Sequence, residues 1–71
     1  MPTHVEAQIT GSVWKIEKKV GDPLAPEDVI LILESMKMEI PVEAPCSGTL
    51  VELRVTEGQH VEEGAVLAVI E

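Results

Sequence analysis

Phenylalanine and tyrosine are absent from the chain, tryptophan occurs once, at position 14, and cysteine once, at position 46. A lone cysteine excludes an internal disulfide. With only His4 and His60 far from it, no Cys/His cluster stands at metal-ligand spacing to staple a small fold. The unpaired thiol fits a reducing compartment, so a cytoplasmic location is expected. Positive charge is scarce too: five Lys and Arg stand against thirteen Asp and Glu, a formal charge of −8. Nucleic acid and anionic membrane surfaces both demand a basic patch, so neither is expected as a partner. No apolar run approaches the roughly 20 residues of a membrane-spanning helix, and Met1 to Gln8 holds no apolar stretch of the kind a secretory signal carries. Nor does any segment sustain the 3.6-residue apolar period of an amphipathic helix.

What is present is 71 residues, 45% of them hydrophobic and nearly all of those aliphatic. Residues 1–71 are expected to form one domain, near the lower size limit for an unaided hydrophobic core. The chain repeats itself. Gly11-Ser-Val-Trp-Lys-Ile-Glu-Lys-Lys-Val-Gly21 is matched, thirty-seven positions later, by Gly48-Thr-Leu-Val-Glu-Leu-Arg-Val-Thr-Glu-Gly58. Without a gap, Leu24 then matches Val61, Val29 matches Val66, Ile32 matches Val69 and Leu33 matches Ile70. Two copies imply one domain with pseudo-two-fold symmetry.

Each copy reads as β structure. The segments from Val13 and from Leu50 alternate partly and end at Gly21 and Gly58. The continuous apolar runs Val29–Leu33 and Ala65–Ile70 suit strands covered on both faces. Turn residues recur at Gly11, Gly21-Asp22-Pro23, Pro26, Pro41, Pro45, Gly48, Gly58 and Gly64. Short strands at this spacing argue for an all-β sandwich or flattened barrel. Pro26-Glu27-Asp28 offers one brief helix start. Trp14, aligned with Val51, is expected in the core, Cys46 as a small core or edge residue, and His60, aligned with Pro23, in a turn.

One place contradicts the local rules. Ser35-Met36-Lys37-Met38 separates the run Val29–Leu33 from Ile40–Val42 at the spacing of a tight hairpin, yet it contains no Gly, Asn, Asp or Pro. Two-residue hairpin turns favour residues that tolerate positive φ, and other residues there cost about 1–2 kcal/mol each. Such a conflict marks either a presented lysine or a loop whose methionines fold onto the sheet edge.

Glu34-Ser35-Met36-Lys37-Met38-Glu39 resembles the biotinylation motif of biotin carboxyl carrier proteins and of the biotinyl domains of biotin-dependent carboxylases. The resemblance extends over the whole chain: Gly11–Ile16, Val20-Gly21-Asp22, Ala44-Pro45-Cys46-Ser47-Gly48-Thr49, Val55–Val61 and Leu67–Glu71 are similar to the family's strands and turns. One departure is Ala7-Gln8-Ile9, where the family often has Ala-Pro-Met. The resemblance implies a flattened barrel of two four-stranded antiparallel sheets, with the modified lysine on a hairpin at one end and the termini at the other. It further implies biotin joined covalently to Lys37 by a biotin protein ligase, and Met36 and Met38 as apolar contacts for the ligase or the biotin ring. The arm would carry a carboxyl group from a biotin carboxylase to a carboxyltransferase, the chain itself supplying no catalytic residue. Some family members carry a protruding thumb loop after the first strand; the gapless repeat leaves no residues for one here. A lipoyl carrier shares the fold, but usually has Asp before its lysine and Ala or Val after it. An unmodified interaction module is a further alternative.

Overall fold

The structure, a computed structural model, describes residues 2–71 and contains eight strands and no helix among them. The strands are β1 (Thr3–Glu6), β2 (Gly11–Ile16), β3 (Pro23–Leu24), β4 (Val29–Ser35), β5 (Met38–Glu43), β6 (Gly48–Leu53), β7 (His60–Val61) and β8 (Val66–Ile70). They build two four-stranded antiparallel sheets, ordered β1-β8-β6-β3 and β5-β4-β2-β7. The continuous apolar runs supply β4 and β8, which are inner strands of the two sheets, as expected of strands covered on both faces.

The repeat maps one sheet onto the other. Displacing each strand by the repeat offset takes β1 to β5, β8 to β4, β6 to β2 and β3 to β7, so the two strand orders coincide. The registers follow: Thr3↔Ile70 becomes Ile40↔Leu33, Leu50↔Ile70 becomes Val13↔Leu33, and Pro23↔Thr49 becomes His60↔Ser12. Hydrogen bonds between the two copies obey the same rule. The Gly21 N–H donates to the Leu50 carbonyl and the Gly58 N–H to the Val13 carbonyl, each at 2.7 Å. The core consists of symmetry mates: Val13 with Leu50, Ile30 with Leu67 and Leu33 with Ile70, all fully buried. Each such aliphatic side chain contributes about 1.5–3 kcal/mol by leaving water, which is how a chain with no buried aromatic residue sustains its fold. The connection 17–22 equals 54–59 in length, and no thumb is inserted.

Gly11 and Gly48 let the strands approach closely. A Cβ at Gly11 would lie 2.6 Å from the Glu34 carbonyl oxygen, and one at Gly48 2.7 Å from that of Glu71.

Three expectations need correction. Trp14 is not in the core: it is 48% exposed. Val13 pairs with Leu33 and Lys15 with Ile32, so Trp14 is the extra residue of a β-bulge. Its mate Val51 occupies the corresponding bulge between Leu50 and Glu52 and is exposed as well. Pro26-Glu27-Asp28 starts no helix. It is a tight turn closed by the Asp28 N–H on the Ala25 carbonyl, with the Asp28 carboxylate accepting from the Ala25 N–H. Glu27 sits at φ 73° where its mate Gly64 sits at 90°. His60 opens strand β7 opposite Ser12 and is not in a turn.

Candidate functional site

The symmetry fails at one place, the hairpin joining β4 to β5, because its counterpart position holds the two chain termini. The ladder climbs from the core through Leu33↔Ile40 and Glu34↔Glu39 to Ser35↔Met38, and leaves a loop of two residues, Met36 and Lys37. Their φ angles are 53° and 65°. Two consecutive left-handed residues define a type I′ turn, whose twist matches that of the strands it joins. Non-glycine residues in that conformation are strained by roughly 1–2 kcal/mol each. Met36→Asn, which tolerates the left-handed region, will therefore raise stability by ~1 kcal/mol, read as an upward shift of the urea midpoint. An unchanged midpoint would show that the turn stores no strain.

The side chains at the turn point away from the protein. Met36 is 91% exposed and Met38 61%, and Lys37 is exposed between them. Among the described residues the charged pairs within 4 Å are Arg54–Glu52 and His60–Glu62, so no carboxylate holds the Lys37 amine. The methionines are not folded onto the sheet edge, and neither belongs to the core cluster. The base of the hairpin, by contrast, is fixed. Leu33 is buried, and the close approach of Gly11 to the Glu34 carbonyl seats β2 against the last turn of the ladder. A rigid stem thus carries an unattached amine at its tip.

Two features at and near the hairpin were not read from the sequence. Glu34 and Glu39 face each other across the ladder, both exposed. Like charges so placed repel; a hairpin register, once assumed, would have revealed them. The second is a groove of about 290 Å³ between the edge strands β1 and β5, floored by Val5, Leu33, Ile40 and Val42. The pseudo-two-fold exchanges those two edges, so the groove lies where the barrel fails to close. No metal-ligating cluster of three or more His, Cys, Asp or Glu occurs among the described residues.

The family model described as biotin-requiring enzyme, of the biotin/lipoyl type, matches residues 1–70. A biotin/lipoyl attachment protein of Bacillus subtilis is 46% identical over 63 residues, covering 89% of this chain and 86% of that protein. A biotinylated protein TB7.3 homolog of Mycobacterium leprae is 40% identical over 70 residues, covering 99% of each. Among solved structures, the urea carboxylase of Kluyveromyces lactis contains a region that superposes with a TM-score of 0.95 at 34% identity, covering all of this chain and 6% of that one.

Proposed function

The chain belongs to the biotin/lipoyl attachment family, and from that premise we propose that residues 1–71 form one biotin carrier domain with Lys37 as its attachment residue. The observation that supports Lys37 most is its setting: a single lysine at the summit of a strained two-residue turn, exposed, without an ionic partner, and flanked by two exposed methionines. The arrangement fits a tether better than a binding pocket, because nothing at the tip encloses a ligand. Lysine suits the task, offering a primary amine on a long flexible stem.

The amine is a poor nucleophile while protonated, so the biotin protein ligase that acylates it must also take its proton. A nitrogen–carbon bond then forms to an activated acyl carbonyl, the activating group leaves, and the chain's formal charge falls by one from −8. Bound there as an amide, biotin supplies a ureido nitrogen that accepts a carboxyl group at a biotin carboxylase and yields it at a carboxyltransferase. The protein's own role is mechanical. The β4–β5 stem holds the attachment point clear of the barrel, the lysine stem lends reach, and tethering keeps the carried group at high effective concentration at both partner sites. Met36 and Met38 offer soft apolar contact to whichever protein docks over the tip. No residue of the chain acts as acid, base or nucleophile in carboxyl transfer, and the domain works in the cytoplasm beside its partner enzymes.

A lipoyl carrier of the same fold is the second reading, kept because the family and the Bacillus subtilis relative carry both names. Methionine on both sides of Lys37 favours biotin. Incubated with biotin, ATP and a biotin ligase, the chain will gain a single biotin and bind streptavidin. Preferential loading by a lipoyl ligase would decide for the alternative.

A further inference from the structure

We propose that Met36 and Met38 form a reversible oxidation site that controls acylation of Lys37, an inference that rests on the carrier reading for its consequence but not for the site itself. The chain has three methionines, and these two flank the amine with 91% and 61% of their surfaces exposed. A thioether open to solvent reacts with a peroxide. The sulfur is oxidised by two electrons to the sulfoxide, the peroxide O–O bond breaks, one oxygen joins sulfur and the other leaves as water. A dithiol reductase reverses the step, removing the oxygen as water while two thiols become a disulfide.

Among the described residues, competing oxidisable groups are less available. Cys46 is half-buried, its Sγ 3.8 Å from the Thr3 hydroxyl, and Trp14 is 48% exposed on the face of β2. The change at the tip is chemical and local. A flexible apolar side chain becomes polar, with a strong acceptor oxygen. Because neither methionine packs into the core, oxidation leaves the fold alone and alters only what a docking protein meets on either side of the lysine. Placed at the two residues adjoining the amine, the two sulfurs report oxidant exposure directly to the step that loads the carrier.

The test treats the folded chain with hydrogen peroxide, locates added oxygen by peptide mass spectrometry, and compares initial labelling rates with biotin ligase before and after. Oxygen is expected first on Met36 and Met38, with labelling slowed about tenfold, equivalent to about 1.4 kcal/mol of lost docking contact. A methionine sulfoxide reductase restores the rate, and the urea midpoint does not move. The Met36→Leu/Met38→Leu variant, whatever its own rate, labels equally before and after peroxide. Unchanged labelling of the disulfoxide, equal slowing of the leucine variant, or first oxidation at Cys46 each overturns the proposal. If the untreated chain takes no biotin, the carrier reading fails instead, and the position of the added oxygens still decides whether the site exists.

Discussion

Moving the amine by a single residue will slow labelling by about a hundredfold. The variants are Met36→Lys and Met38→Lys, each combined with Lys37→Met, so that composition and turn length stay constant. In the structure positions 36 and 37 are the two corners of the type I′ turn, whereas Met38 is already paired with Ser35 as the first residue of β5. A lysine at 38 leaves along the ladder, and one at 36 leaves from the opposite corner. Neighbouring side chains project in different directions, so in both variants the amine reaches a different point in space. A misplacement near 1 Å suffices to cost about 10²-fold in a reaction that depends on alignment, and one residue displaces the amine by more. Both variants should keep the parent's stability in urea within about 1 kcal/mol, since surface changes of this kind are mild. Initial rates equal to the parent's would mean that the ligase searches for any nearby lysine, and the hairpin would then not be a positioning device.

The second large effect lies in the glycines. Gly48→Ala places a Cβ 2.7 Å from the Glu71 carbonyl oxygen and 2.7 Å from Ile70 Cγ2, at a φ of +157°. Gly11→Ala meets the Glu34 carbonyl at 2.6 Å. Backbone cannot yield as a flexible side chain does, so each substitution must push neighbouring strands apart. Overpacking of this kind costs about 1–3 kcal/mol and sometimes more, with about 1–2 kcal/mol of backbone strain added at Gly48. A domain of this size holds roughly 4–10 kcal/mol in total, so Gly48→Ala removes a fifth or more of it. Gly21→Ala is the control: nothing lies within 4 Å of its Cβ, and only the φ of +100° opposes it. Urea midpoints should fall in the order Gly21, Gly11, Gly48, with Gly48 lowest. If Gly21→Ala and Gly48→Ala lose stability equally, the domain does not depend on close approach between neighbouring strands of each sheet.

The symmetric frame was legible because its determinants are local and doubled. Glycine pairs and apolar pairs at a constant offset survive in the sequence whatever the three-dimensional path, and the structure repeats that offset in strand order, register and the hydrogen bonds that link the two copies. The hairpin was legible for the opposite reason: Met36 and Lys37 are unsuited to the turn that the flanking apolar runs require, and the positive φ angles expected of them are found. What stayed hidden depends on a partner strand. The outward turn of Trp14 follows from a bulge, and a bulge exists only as a mismatch between Val13–Lys15 and Leu33–Ile32. Alternation counted along β2 alone cannot register an extra residue. The same holds for the facing pair Glu34 and Glu39 and for the groove between β1 and β5, both products of pairing rather than of composition. At 26–28, proline followed by two acids has the look of a helix start, but the chain needs to turn there as it does at 63–65, so Glu27 takes the conformation that Gly64 takes freely.

The central claim is that Lys37 carries biotin, and the most direct measurement is the intact mass of the protein co-expressed with a biotin ligase, beside that of Lys37→Arg. Arginine keeps the charge and the exposed turn but removes the acylatable amine. The parent is expected to gain the mass of one biotinyl group and the variant nothing, although Lys15, Lys18 and Lys19 remain. A variant that still gains the group, or a parent whose added mass is that of a lipoyl group, would contradict the account.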